Sequence, residues 1–242
     1  MSAGTELDYI GDELAIFALA KNWKAYFASA LAPFIRGEVA EPGAGLGATT
    51  LTLCDPKETA GWLCIEPDRT MADGLARARA EGGLPARCSV HRGVLADLPA
   101  DRLFDTITYI DVIEHIEDDR REFASAASRL KPGGRIVILA PAWQHLFSPF
   151  DARIGHFRRY SRGGLTALAA PGLRLETSFY LDSVGYFASL ANRLLLRQGS
   201  PAKSQILLWD NVMVPASRVV DRLCLRSVGR SVVAVWIKTG AA

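Results

Sequence analysis

The apolar positions of this chain change period several times, and each change marks an element. Between Tyr9 and Phe34, the residues Leu14, Phe17, Ala18, Phe27 and Leu31 recur at helical spacing, and Pro33 closes the segment. Short apolar runs then alternate with helical stretches over residues 38–41, 48–53, 62–66, 68–81, 87–91, 104–110, 119–130 and 135–140. That alternation predicts an α/β fold, a parallel sheet with helices on both faces. A loop runs from Ala140 to Tyr160, and Ser161 is placed to cap a short helix through Ala169. Residues 173–180 read as a sixth strand and 231–238 as a seventh. Between them Phe187, Leu190 and Leu194, then Val219, Val220 and Leu223, predict a helical insertion over 184–230. No linker, repeat or low-complexity tract divides the 242 residues, of which 49% are apolar, so one domain is expected. Its parts are a cap helix in 1–35, a half spanning 37–140 and a half spanning 141–242.

The chemistry starts where the first short strand ends, in Val39-Ala-Glu41-Pro-Gly43-Ala-Gly45-Leu-Gly47-Ala-Thr-Thr50. Glycines at 43, 45 and 47 let the backbone approach a ligand closely beside a helix N-terminus, the arrangement that cradles nucleotides. Glu41 selects among such ligands. A carboxylate at the mouth of the turn repels a pyrophosphate and favours a ligand bearing an ammonium and a sulfonium, such as S-adenosylmethionine. Gly43-x-Gly45-x-x-Ala48 also satisfies the dinucleotide fingerprint, which keeps an NAD(P)-dependent oxidoreductase open. Against that alternative, no tyrosine is followed four positions later by lysine. A second apolar run, 61–66, ends in Glu66, placed to take the ribose hydroxyls of either cofactor.

Farther on come Phe104-Asp-Thr-Ile-Thr-Tyr-Ile-Asp111, then Val112-Ile-Glu-His115, and Leu130-Lys-Pro-Gly-Gly-Arg135 leading into 136–140. With these segments the chain resembles the class I S-adenosylmethionine-dependent methyltransferases over about residues 37–140. The resemblance implies a Rossmann-like, mostly parallel seven-stranded sheet whose last strand runs antiparallel beside the sixth. It makes 37–140 the cofactor half and 141–242 the acceptor half. The implied cofactor is S-adenosylmethionine, leaving as S-adenosylhomocysteine, with no metal. Glu41 would act on the cofactor's amino group through water or turn amides, with Gly43, Gly45 and Gly47 forming the turn. Glu66, followed by Pro67, would hold the ribose, and Asp111 would lie near the methionine end. Met71 either covers an adenine face or packs in the core. Val94 occupies the position where this family commonly has an acid for the adenine amino group. The backbone at Leu95 or the carboxylate of Asp97 would substitute, although Asp97 reads equally as a surface turn residue.

Glu114 and His115 follow the fourth strand at the carboxyl edge, where open α/β sheets bind ligands. His115 reads either as a general base or as a packed histidine donating to a carbonyl. The loop Asp151-Ala-Arg153-Ile-Gly-His156-Phe-Arg158-Arg159-Tyr160 follows Pro141-Ala-Trp143-Gln-His145 and resembles that of a bacterial subgroup with the same Asp, Gly-His and Arg-Arg-Tyr elements. Arginine forks at 153, 158 and 159 suit a carboxylate or phosphate on the acceptor. The structural alternative pairs Asp151 with an arginine and uses Tyr160 to staple the loop to the sheet. A hydroxyl acceptor would find its base in His115, His145 or His156, with Tyr160 as a further catalytic candidate; a carbon acceptor would need cation stabilisation by Trp143, Phe147 or Tyr180. The acceptor expected is a small molecule: an anionic natural product, an isoprenoid or a glycolipid-like compound.

Charge sharpens one region only. The net charge is +2, but 184–230 holds Arg193, Arg197, Lys203, Arg218, Arg222, Arg226 and Arg230 against Asp210 and Asp221. This basic stretch is read either as a lid helix pair with a solvated face or as a contact for a membrane surface or isoprenoid. Nucleic acid is not expected, because aromatic interleaving is sparse. Cys54, Cys64, Cys88 and Cys224 show no C-x-x-C spacing and are read as reduced thiols rather than metal ligands. An acidic N-terminus and the lack of a bilayer-length apolar run point to a soluble cytoplasmic protein, monomer or homodimer. A noncatalytic cofactor-binding partner is the third functional reading.

Overall fold

The computed structural model describes residues 19–196 and 203–240. Leu14, Phe17, Ala18 and Arg197 lie outside them. The strands are β1 (Gly37–Pro42), β2 (Thr59–Glu66), β3 (Cys88–Arg92), β4 (Phe104–Ile110), β5 (Leu130–Pro141), β6 (Leu173–Leu181) and β7 (Ser231–Lys238). They form one sheet in the order β3-β2-β1-β4-β5-β7-β6. Strands β1 to β5 pair in parallel, while β7 enters antiparallel between β5 and β6. The Rossmann-like, mostly parallel sheet with an antiparallel last strand is therefore as expected.

Alternation along each strand sends successive side chains to opposite faces, and each face builds its own core. On one face Val137, Leu139, Val233 and Val235 pack with Trp23, Tyr26, Phe27 and Leu31 of helix α1 (Lys21–Leu31). On the other, Ile136, Ile138, Val232 and Ala234 pack with Phe123 and Trp236, whose rings meet edge to face at 4.8 Å. The helices between the early strands are α2 (Ala48–Leu53), α3 (Arg69–Ala80) and α4 (Asp119–Ser128). The loop after β5 carries α5 (Pro149–Arg153), which the sequence reading leaves as coil, and α6 (Arg162–Thr166), which Ser161 caps through the Gly164 amide at 3.0 Å. Cys54, Cys64 and Cys88 are buried free thiols.

The insertion consists of α7 (Ser183–Ala191), a π-helical segment Asn192–Leu196, α8 (Lys203–Leu208), a second π segment Trp209–Met213, and α9 (Val214–Leu223). Three buried aspartates tie it down. Asp182 caps α7, accepting from the Gly185 amide at 3.0 Å, and also accepts from Trp209 Nε1 and Ser217 Oγ, both at 2.7 Å. Asp221 accepts from Tyr26 Oη at 2.6 Å and from the amides of Asp182 and Ser183 at 2.7 and 2.9 Å. Asp210 takes the Trp23 amide at 2.8 Å, at the start of α1. Both acids of the basic stretch thus point inward, while Arg193, Lys203, Arg218 and Arg222 are exposed. No helix among the described residues is long and apolar enough to cross a membrane.

Candidate active site

The glycine turn after β1 is fixed from both sides. The amides of Gly43 and Ala44 donate to the Ile65 carbonyl at 2.8 and 3.2 Å, holding the turn against the end of β2. Gly43 has φ of 69°, and a Cβ there would stand 2.6 Å from Val112, so the close approach of β1 to the β4 end requires glycine. Gly45 and Gly47 also take positive φ, and Gly47 caps α2 in the left-handed conformation. Glu66 is 5% exposed and bridges two elements. Its Oε2 accepts from the Gly45 amide at 2.7 Å and its Oε1 from the Asp68 amide at 2.9 Å. Asp68 in turn caps α3 through the Met71 amide at 2.8 Å. Burial pushes the Glu66 carboxyl upward, and the two amides pull it back.

Glu41 lies behind the turn, 2% exposed, its Oε2 accepting from Thr50 Oγ1 at 2.5 Å and Trp62 Nε1 at 2.6 Å. Burial outweighs those two bonds, and with Glu66 adding to it the carboxyl rises to about 7. Its negative charge at neutral pH is therefore partial, which softens the electrostatic selection expected of a fully ionised acid. Pro67 is exposed and Met71 half-buried. Leu95 is buried at the start of a 3-10 turn, Leu95–Asp97, whereas Val94 is exposed. Asp97 Oδ2 accepts from the Val94 amide at 2.8 Å, so this carboxylate serves the turn itself.

At the end of β4 the Asp111 amide donates to the Leu139 carbonyl at 2.8 Å, and Asp111 takes a left-handed φ of 54°. Its side chain touches solvent, yet desolvation by surrounding protein pushes its carboxyl up to about 6 against the pull of His156, Arg230 and Arg159. Glu114, next along, is fully buried, and neither carboxylate oxygen has a hydrogen-bond partner.

The β5–β6 loop folds back onto this edge. His156 Nδ1 lies 3.0 Å from Asp151 Oδ1, its Nε2 is 3.8 Å from Glu114 Oε1, and its ring meets His115 edge to face at 4.5 Å. His115 also bonds the Gly155 carbonyl; burial, then His156, lower its pKa to about 4, leaving the imidazole neutral at pH 7. Asp151 is 1% exposed and binds Arg159 Nη2 at 2.8 Å and Ser148 Oγ at 2.7 Å. Although burial alone would raise it, His156 and Arg159 hold the Asp151 carboxyl well below the usual carboxylate range.

The arginine forks offered for an anionic acceptor are taken up within the loop. Arg158 pairs with Asp119 at 2.7 Å and Arg159 with Asp151, while Arg153 is exposed in the last turn of α5. Tyr160 is buried, its hydroxyl donating to Asp119 at 2.8 Å, and its backbone bonds Pro141 and Trp143. Burial and Asp119 push the Tyr160 hydroxyl upward, which suits a staple and opposes proton transfer near neutrality. Trp143 stacks on Tyr180 with centroids 4.8 Å apart and donates to the Gly229 carbonyl at 2.8 Å. His145 Nε2 is 3.3 Å from the Tyr186 hydroxyl, and Tyr186 also packs on Trp143. Tyr186 is the member of this aromatic group that sequence reasoning missed. It comes from the insertion, and only the fold shows which face of α7 turns inward.

Residues 40–136 match the family model for a methyltransferase domain. Among curated proteins the chain is similar to an uncharacterized 37.1 kDa protein in transposon TN4556 of Streptomyces fradiae, 31% identical over 143 residues. That match takes in 58% of this chain but 40% of the relative, so the chain spans well under half of that protein's length. Among solved structures it is similar to geranyl diphosphate C-methyltransferase from Streptomyces coelicolor A3(2), with a TM-score of 0.61 at 15% identity, covering 90% of this chain and 76% of that one. It is also similar to a putative sarcosine dimethylglycine methyltransferase from Galdieria sulphuraria, with a TM-score of 0.59 at 18% identity and coverage of 91% and 86%. At such identities the likeness is one of fold. The antiparallel β7 also departs from the dinucleotide-binding order, in which six parallel strands run 3-2-1-4-5-6. Residues 40–136 thus match the model for a methyltransferase domain, and the sheet around them has the Rossmann-like fold of the solved methyltransferases.

Proposed function

We propose that this chain is an S-adenosylmethionine-dependent methyltransferase acting on a small-molecule acceptor. The observation that carries the reading is the Glu66 carboxylate, which joins the Gly45 and Asp68 amides at the sheet's carboxyl edge and keeps lone pairs for two vicinal hydroxyls. The cradle fits such a ligand, because Gly43, Gly45 and Gly47 all take positive φ and present backbone without Cβ at the start of α2. Glu66 would hold the ribose, the 43–47 turn and Glu41 the amino end, Asp111 the methionine end, and the Leu95 backbone the adenine. When bound, S-adenosylmethionine supplies an electrophilic methyl group on a sulfonium. The protein's own part is to aim an acceptor along the sulfur–methyl axis and exclude water.

Glu41 gives this reading a pH signature. A carboxyl that ionises near 7 in the fold and 4.5 outside it destabilises the folded state progressively as pH rises through that window, by about 3 kcal/mol at its full extent. A cationic ligand restores the ionised form, so binding releases a proton. Calorimetry at pH 7 in buffers of different ionisation enthalpy should show that release with S-adenosylmethionine and lose it in Glu41→Gln. The same variant should unfold at higher temperature than the wild type at pH 8 and not at pH 4.5. Tight binding of NAD(P)H with none of S-adenosylmethionine or S-adenosylhomocysteine would remove the proposal.

A lipid-like acceptor is favoured by the outer face of the insertion. Leu208, Val212, Val219 and Leu223 recur at intervals of four, seven and four residues and are exposed, with Arg218 and Arg222 among them. Apolar side chains ringed by arginine hold a protein at an anionic interface. Co-sedimentation with anionic vesicles should exceed that with neutral ones and fall in Val219→Glu/Leu223→Glu. Equal recovery with both vesicle types would exclude the contact.

A further inference from the structure

We propose that Glu114, His115 and His156 form a binding site for a divalent transition metal, with donors suited to zinc, just beyond the carboxyl end of β4. One carboxylate oxygen and one nitrogen from each imidazole all lie within 4.8 Å of one another. Zinc bonds of about 2.0–2.2 Å would draw these donors to roughly 3.5 Å apart, a contraction within reach of side-chain torsions. The inference does not depend on the methyl-transfer reading.

The demand for a cation comes from Glu114. It is fully buried, and both of its oxygens lack hydrogen-bond partners. An isolated buried carboxylate is among the costliest groups to enclose, and proteins meet that cost by neutralising it with a proton, by pairing it or by coordinating a metal. The group facing it is His156 Nε2 at 3.8 Å, too far for a hydrogen bond and well placed for a shared ligand.

The outer contacts match those that orient metal-binding imidazoles. Asp151 accepts from His156 Nδ1 at 3.0 Å, which assigns the proton to Nδ1 and turns the Nε2 lone pair toward Glu114. Asp151 is itself held by Arg159 and Ser148. The Gly155 carbonyl, with His115 Nδ1 lying 3.7 Å from where a Gly155 Cβ would stand, occupies the corresponding place for the second ring. Two imidazoles and one carboxylate, without thiolate, favour zinc, cobalt or iron over magnesium, which prefers oxygen alone. A three-residue site of this kind would take water as its fourth ligand. Cysteine spacing gave no hint of this site, because its third donor arrives from 41 positions along the chain.

The test uses the full-length protein stripped by chelator, re-loaded with zinc or cobalt(II), and freed of excess metal by gel filtration. About one zinc per chain should be retained, and cobalt should give the visible bands of a four- or five-coordinate nitrogen and oxygen site. Glu114→Gln and His156→Ala should each lower zinc affinity by about 100-fold or more, and Asp151→Asn by about 10–100-fold. His91→Ala, outside the cluster, should leave it unchanged. Circular dichroism and thermal unfolding establish that each variant is folded. Failure to retain stoichiometric metal, or a folded Glu114→Gln that binds zinc as the wild type does, would overturn the assignment in favour of a proton shared between Glu114 and His156.

Discussion

Glu66→Ala is expected to weaken S-adenosylmethionine binding by about 3–4 kcal/mol, a loss of a few hundred-fold in affinity. Two charge-assisted bonds to ribose hydroxyls disappear together, each worth about 1.5–3 kcal/mol when the acceptor is ionised. The glycine turn also loses the bond that fixes Gly45 at 2.7 Å. Glu66→Gln should be almost as damaging. The carboxylate faces two amide donors, Gly45 and Asp68, with two different oxygens. A glutamine offers one oxygen, and its NH₂ must then confront the other N–H, adding a donor–donor repulsion to the missing bond. Isothermal calorimetry on folded variants measures both. Wild-type affinity in either would detach Glu66 from the ligand and leave it as a strut between the turn and α3.

Much of the sheet is legible in the chain because strands buried on both faces favour near-continuous apolar runs, and the cores of β2 and β7 are such runs. The start of β5 is not. Lys131-Pro-Gly-Gly134 has the composition of a turn, yet β5 begins at Leu130 and passes through it as an irregularity against Phe104. A Cβ at Gly134 would stand 3.1 Å from the carbonyls of Phe104 and Asp105, so the glycine lets the strands close up rather than turn. The α5 helix could have been found: Ser148-Pro-Phe-Asp151 is a capping box with proline at the first position, and both of its reciprocal bonds form. The buried partners of the loop arginines were harder to see. Arg158, Arg159 and Tyr160 carry the residue types of an anion site, and only the return of the loop onto Asp119 and Asp151 shows that their polar groups are occupied. The insertion illustrates the same point, since the sign of its surface depends on Asp210 and Asp221 facing inward.

Asp151→Ala should cost the fold about 3–5 kcal/mol, enough to lower the thermal midpoint by about 10 °C in a chain of this size. The magnitude comes from what remains. Arg159, 11% exposed, keeps its charge without the carboxylate 2.8 Å away, and His156 loses the acceptor that sets its ring. A buried ion pair is worth little against an apolar replacement of both partners, whereas removing one partner leaves an uncompensated charge. Asp151→Ala combined with Arg159→Met should therefore recover much of the loss, and the double-mutant cycle should be strongly non-additive. The pH dependence has a definite sign. Because the Asp151 carboxyl titrates below its ordinary value of 3.8, its stabilisation is complete above that value and disappears as pH falls further. Wild type and Asp151→Ala should thus differ most near neutrality and converge in strong acid. A variant within 1 kcal/mol of wild type at pH 7, or an additive cycle, would mean that Asp151 does not hold the loop that brings His156 to Glu114.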